Sequence, residues 1–342
     1  MTTPQETFEL YHHGRFKVAG GVLPNAFTAY RTYGDPSNPC IVFPTCYGAK
    51  MGQGSQWYLA GENKALDTTK YFVVTFALFG NGESSSPSNT PAPYNGPYFP
   101  AISYEDNIRA QFAVLTKHLG VKKLHCVVGF SMGGQQSYHW ALIYPDFVER
   151  FVVICSSART SPHNICFLEG PKAAMLASKD FNDGHYTSPP QHGIRAFARV
   201  YSAWAYGQTW FREHKYKFDG QFPDLNSWLR ENWEARYVTT WDANDMLTLL
   251  NTWQSGDISK IRHGGDLEAA LKSIKAKGLI MPSKTDLYFP PEDSQNEIQH
   301  LANAKLAVIP SVWGHVASLA GGSGNPDNVK FITTQIKEFL AA

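Results

Sequence analysis

No stretch of this sequence is apolar for the ~18–20 residues that a membrane-spanning helix needs. Nor is there charge of one sign to spare: thirty basic side chains stand against twenty-nine acidic ones, with no basic block. That balance excludes the electrostatic footprint of a nucleic-acid binder. The start, MTTPQETFELYHHGRF, has no basic stretch followed by an apolar core, so it does not read as a secretory signal. Cysteine is scarce and odd in number: Cys40, Cys46, Cys126, Cys155 and Cys166, without a Cys-x-x-Cys pair. Cys126 and Cys155 lie in apolar runs (LHCVV, FVVICSS), where a thiol is a small buried hydrophobe. No Asn-x-Ser/Thr sequon, no metal-ligand cluster and no phosphate-binding Gly loop is found; the His12-His13 pair reads as exposed strand. These absences point to a reduced, cytoplasmic enzyme or binding protein, without metal or cofactor, that acts on a small molecule.

What is present is a succession of short apolar runs. NAFTAYRTYG (25–34), CIVFPT (40–45), YFVVTFALFG (71–80), LHCVVGF (124–130) and FVVICSS (151–157) are mostly continuous rather than alternating. Such runs suit strands covered on both faces of a parallel sheet. Helical patterns fall between them. SYEDNIRAQFAVLTKHLG (103–120) opens at Ser103 and Asp106, carries Ile108, Phe112 and Leu115 on one stripe, and stops at Gly120. GGQQSYHWALIYP ends at Pro145, which cannot continue a helix. The alternation predicts an α/β fold.

From about Ser161 to Gly265 the strand pattern stops. Six of the nine tryptophans lie in this interval, and Phe197, Tyr201 and Trp204 share one helical face. A packed helix is the plainer reading of that stripe, and an aromatic wall over a pocket the other. Strand patterns return in KGLIMPSKTD (277–286) and AKLAVIPSVWGH (304–315), and NVKFITTQIKEFLAA reads as a closing helix. The expected layout is an α/β core over 1–160 and 266–342, interrupted by a helical insertion over 161–265. SSSPSNTPAPYNGP (84–97) is a loop too short to be a disordered domain.

Gly129-Phe130-Ser131-Met132-Gly133 matches Gly-x-Ser-x-Gly, with a β-rich run before it and a helix pattern after it. At such a strand-to-helix turn the glycines remove colliding Cβ atoms, and the serine oxygen stands clear at a helix N-terminus. A serine hydroxyl attacks only when a base takes its proton, so a histidine and an acid are required further along the chain. Asp286 follows GLIMPSKT and His315 follows LAVIPSVWG, both where strands run out. Asp293 competes as the acid, but FPPEDSQNEIQ reads as a helix opening, where carboxylates are favoured by the dipole anyway. His125, inside a strand, and His139, on the helix after the serine, read as structural. For an oxyanion hole, one N–H comes from Met132 and the other from the loop PTCYGAKMG, at Cys46 or Tyr47. Cys46 acts through its backbone, its thiol being an inert liner.

Beyond the pentapeptide, the chain resembles the homoserine O-acetyltransferase group of α/β-hydrolase enzymes over nearly its whole length. The resemblance is carried by KALDTTKYFVV, YFPAISYEDNIRAQ, GFSMGGQQSYHWALIYPDFVER, SSARTSPHNICF, WDANDM and TDLYFPPEDS followed by a late Gly-His. It implies a mostly parallel sheet flanked by helices, a Ser131/Asp286/His315 triad, a helical lid over a tunnel, and often a homodimer packed through that lid. Members that use homoserine place an aspartate after the catalytic histidine to hold the ammonium, whereas Val316 stands here. Arg199 is an approximate counterpart of their carboxylate-binding lid arginine, with shifted spacing. GNGESSSPSNTP departs from their Gly-Cys-Tyr-Gly-Ser-x-Gly-Pro run. A buried ammonium without a partner costs several kcal/mol, so an uncharged or aromatic ester, lactone or alcohol fits better. Arg199, Tyr47 and Trp204 are the candidate substrate contacts.

The expected activity is hydrolysis of an ester or lactone through an acyl-Ser131 intermediate. The alternative is O-acetyl transfer from acetyl-CoA to an alcohol on the same acyl-enzyme. A non-catalytic receptor on this fold is the third, least favoured, since all three positions of the array are filled.

Overall fold

The computed structural model describes residues 8–51, 58–318 and 325–342. The first seven residues of the amino-terminal stretch, and Gly52 at the end of the loop over 44–52, therefore lie outside the described residues. Eight strands form one sheet in the order β1-β2-β4-β3-β5-β6-β7-β8. They are β1 (Glu9–Val18), β2 (Gly21–Tyr33), β3 (Cys40–Val42), β4 (Phe72–Phe76), β5 (Cys126–Phe130), β6 (Arg150–Ile154), β7 (Lys277–Met281) and β8 (Ala304–Leu306). β1 pairs antiparallel with β2, and β2 with β4; every other pairing is parallel.

The continuous apolar runs are explained by the two faces of this sheet. Ile41, Val73, Val128, Val152 and Leu279 bury into one core, while Val42, Val74, Val127, Val153 and Ile280 bury into the other. Side chains alternate across a strand, so covering both faces demands an apolar residue at every position. β8 is shorter than its apolar run: only Ala304–Leu306 pair as a strand, and Ile309 adds an isolated bridge to Ser283. Pro310 has no N–H to donate to a ladder, which limits any extension. β1, largely exposed at the sheet edge, is the strand that hydropathy did not mark beyond His12-His13.

Helices cover both faces. α1 (Tyr104–Ala113) begins in a capping box in which Ser103 and Asp106 bond reciprocally. α2 (Met132–Ile143) is buried at every position. Between β6 and β7, among the described residues, lie only helices and turns plus one isolated bridge between Arg159 and Asp257. The helices used below are α3 (Pro162–Leu176), α4 (Gln191–Ala205), α5 (Ala235–Thr240) and α6 (Ala243–Gln254), followed beyond the run by α7 (Pro291–Glu297) and α8 (Pro326–Ala341). Most tryptophans of the run are core: Trp210, Trp228 and Trp253 are fully buried, and Tyr206 stacks on Trp210 at 3.9 Å.

Glu297 joins α7 to the rest of the core. Its carboxylate accepts from Ala158 N at 2.8 Å and from the Tyr138 hydroxyl at 3.0 Å. Burial is the main force on its acidity and pushes the carboxyl up to about 8. The unfolded chain releases that proton near the ordinary glutamate value of about 4.3. The folded state is therefore favoured most below that value, and this contribution is lost as pH rises through about 8. Glu297→Gln is expected to flatten the decline of Tm between about pH 5 and pH 8. Thermal melts across that range check it; an equally steep decline in the variant would place the buried proton elsewhere.

Candidate active site

β3 sits between β4 and β5, so the chain leaves β3 toward one neighbour and later returns to the other. The loops after β3 and β5 diverge at this reversal, and open α/β sheets bind ligands in the crevice so formed. Ser131 follows β5 directly, with φ 57° and ψ −126°. A non-glycine residue in that region is strained, as at a nucleophile elbow. The turn closes only because residue 129 is glycine: a Cβ there would lie 1.9 Å from the Gly133 carbonyl oxygen. Ser131 N donates to Ile154 O on β6 at 2.9 Å, and Ser131 O accepts from Gly134 N at 2.8 Å, which fixes the turn on both sides.

His315 reaches this serine from the loop after β8. Its Nε2 lies 2.8 Å from Ser131 Oγ, and its Nδ1 lies 2.8 Å from Asp286 Oδ2. Gly314 makes the approach possible, with φ +63° and a would-be Cβ only 2.6 Å from Gly207 N. Asp286 has no freedom to turn away, because its Oδ1 accepts from the backbone N–H groups of Tyr288 (2.8 Å) and Phe289 (3.0 Å). An ionised carboxylate only accepts, so His315 Nδ1 carries the proton and Nε2 is left to accept from the serine hydroxyl. Phe130, Tyr288 and Phe289 pack around the imidazole at 4.9, 4.6 and 5.7 Å between ring centroids. Asp293 bonds into none of this; burial raises its carboxyl, and its Oδ2 has no partner among the described residues.

The loop after β3 is tied to the helix that begins at the serine. Gln136 on α2 donates to Thr45 O at 3.1 Å, and Thr45 N donates to Phe76 O at 2.8 Å. Among the described residues, the N–H groups of Cys46 and Met132 are committed to no other hydrogen bond, as donors to a developing oxyanion must be. The Cys46 thiol is buried, which pushes it up to about 12 and keeps it protonated and unreactive. Further along the loop, Lys50 donates to Asn81 O and lies over the Trp241 ring at 4.4 Å. Asp245 on α6 accepts from Ser88 Oγ at 2.6 Å. These contacts brace the β3 and β4 loops against the helical run.

A cavity of about 380 Å³ opens beside His315. Tyr47, Phe130, Tyr201, Tyr206, Trp233, Tyr237, Tyr288 and Trp313 give it aromatic walls, and Val316 lines it next to the histidine. Among the described residues its lining holds no aspartate or glutamate, and Arg236 is its one lysine or arginine. Of the three candidate substrate contacts, the structure brings only Tyr47 to this cavity. Arg199 is turned outward to Glu234 and to Asn226 Oδ1 at 3.0 Å. Trp204 packs on Phe167 and His163 at 5.0 and 5.4 Å. The reason is helical phase. On α4 the inward face is set by Phe197 and Tyr201, and Arg199, two residues from each, falls on the opposite side. Val316, Phe130, Tyr288 and Trp313 could have been found from their adjacency to Ser131, Asp286 and His315. Trp233, Arg236 and Tyr237 carry no such signal. His125 pairs with Glu149 at 3.4 Å, and His139 is buried against Gln135 O at 2.6 Å. Among the described residues no group of acidic, histidine or cysteine side chains is arranged to hold a metal ion, and no helix is long and apolar enough to cross a membrane.

Comparison with known proteins shows the family. A family model described as the alpha/beta hydrolase fold matches residues 39–321. An ethyl acetate hydrolase of Pseudomonas veronii is 35% identical over 90% of this chain and 89% of its own. A homoserine O-acetyltransferase of Trichormus variabilis is 32% identical over 88% of this chain and 86% of its own. The crystal structure of an acetylester hydrolase from Corynebacterium glutamicum superposes with a TM-score of 0.92 at 29% identity, covering 98% of this chain and 96% of that one.

Proposed function

The chain belongs to the α/β-hydrolase fold family, among its homoserine O-acetyltransferase-like members, and we propose that it hydrolyses small esters through an acyl intermediate on Ser131. The observation that carries this reading is the unbroken line of hydrogen bonds from Ser131 Oγ through His315 to Asp286, beside a small aromatic cavity. His315 Nε2 takes the hydroxyl proton as Ser131 Oγ bonds to the ester carbonyl carbon. The resulting oxyanion accepts from the N–H groups of Met132 and Cys46. Collapse expels the alcohol, which leaves with the proton held by His315. Water then repeats the sequence on the acyl-serine and releases the acid. Throughout, Asp286 steadies the imidazolium without taking its proton.

Hydrolysis is favoured over acetyl transfer to homoserine by the cavity wall. An amino-acid ammonium needs an anionic partner, and Val316 occupies the position beside His315. The cavity volume of about 380 Å³ lies near the lower end of ligand pockets, which suits a short ester or lactone. The acetyltransferase relative favours a second reading, in which an alcohol resolves the same acyl-enzyme after donation from acetyl-CoA. Two finer points belong with the proposal. All five cysteines are free, which suits the reducing cytoplasm. Exposed Ile165, Leu176 and Val200 on α3 and α4 support a homodimer joined through the helical insertion over 161–265.

The test is a panel of donors and acceptors read by mass spectrometry of the Ser131 peptide. Short acetate esters are expected to be turned over, with a transient acetyl adduct on Ser131. Faster acetyl transfer from acetyl-CoA to L-homoserine than hydrolysis of any ester in the panel would overturn the assignment.

A further inference from the structure

The cavity beside His315 is walled mainly by aromatic rings, and two of its polar residues stand together. Asn232 and Arg236 both line it. They are four residues apart in helical chain that runs from residue 229 into α5, so they share one face.

Arg236 differs from its basic neighbours. Arg195 and Arg199 are both committed to the carboxylate of Glu234. Among the described residues the guanidinium of Arg236 donates to the Gly48 carbonyl, at a long 3.5 Å, and no carboxylate pairs with it; its charge otherwise acts on Cys46, Tyr206 and Tyr237. Of the residues outside the description, 52–57 (GQGSQW) and 319–324 (LAGGSG) contain no acid, and 1–7 (MTTPQET) contain one, Glu6. A planar guanidinium beside aromatic walls matches the two oxygens of a carboxylate, and the Asn232 amide on the adjacent turn, which also bonds the Tyr206 hydroxyl, offers a second N–H. An ammonium in the same place would be repelled by the like charge of Arg236.

We propose that Arg236 and Asn232 form a carboxylate subsite in this cavity, so that the preferred substrate is a short ester that also carries one carboxylate. The proposal rests on the acyl-Ser131 reading. It adds the substrate class, and it assigns the carboxylate-binding role to Arg236 instead of Arg199.

The experiment compares kcat/KM for matched pairs: acetoxyacetate against propyl acetate, and monoethyl succinate against ethyl pentanoate. The first pair puts the charge on the alcohol side, the second on the acyl side. In at least one pair the carboxylated ester is expected to be preferred, and Arg236→Gln to lower that preference about tenfold, as for loss of one charge-assisted hydrogen bond at a partly exposed site. Arg236→Lys should restore part of it. Neutral esters preferred in both pairs, or a preference unmoved by Arg236→Gln, would overturn the subsite while leaving ester hydrolysis standing. If no ester is turned over, the acyl-enzyme reading fails instead, and the subsite is judged by binding. Glycolate or succinate should then raise the Tm of Ser131→Ala but not of the Ser131→Ala/Arg236→Gln protein; equal shifts in the two would overturn it.

Discussion

Replacing Ser131 by alanine is expected to lower kcat for p-nitrophenyl acetate about a millionfold, the scale on which a serine nucleophile fails when its oxygen is removed. The residual rate should stay above that of water alone, because the N–H groups of Met132 and Cys46 proposed to hold the oxyanion are kept. Stability should change little. Ser131 Oγ has its hydrogen bond to His315 Nε2, and the turn is held by backbone bonds from Ser131 N and to Ser131 O, which alanine keeps. The check is single-turnover kinetics alongside thermal melts. A variant that keeps a hundredth or more of the activity while folding normally would sink the acyl-serine mechanism.

Asp286→Asn is expected to cost about ten-thousandfold in kcat, through the tautomer of His315 rather than through lost packing. Oδ1 is already taken by the N–H groups of Tyr288 and Phe289, so the asparagine carbonyl must stay on that side. Its amide nitrogen then faces His315 Nδ1, where Asp286 Oδ2 stood at 2.8 Å. A donor there forces Nδ1 to accept, and the ring proton moves to Nε2. Nε2 then has no lone pair for the Ser131 hydroxyl. Asp293→Asn is the comparison: its carboxylate takes no part in these bonds, and its rate should stay within an order of magnitude of the parent. A larger loss at residue 293 than at residue 286 would exchange their roles.

Together these expectations divide labour between the hydrogen-bonded residues and the cavity beside His315. In the proposed mechanism Ser131, His315 and Asp286 supply bond-making and proton transfer. The discrimination between ester hydrolysis and acetyl transfer is assigned to the cavity wall, at Val316 and Arg236. On that proposal, a valine beside the histidine and a guanidinium with no carboxylate partner among the described residues set opposite preferences for ammonium and carboxylate.

By itself the sequence determined the frame of the sheet and the elbow. Strands covered on both faces need apolar residues at consecutive positions, and that pattern is visible without coordinates in CIV, FVVTF, CVVGF and RFVVI. The elbow is equally local, since Gly129 must admit the Gly133 carbonyl within the same five residues. That Asp286 and His315 would come together with Ser131 could be expected from strand ends and chain order, and their hydrogen bonds are present. Tertiary structure decided the wall. Arg199 looked like a substrate contact in the chain, yet the phase of α4 turns it to Glu234. Arg236 gave no signal in the chain, yet it reaches the cavity with Trp233 and Tyr237. Which face of a lone helix meets a cavity depends on how it docks against elements distant in sequence, and no local rule of hydropathy or spacing contains that information.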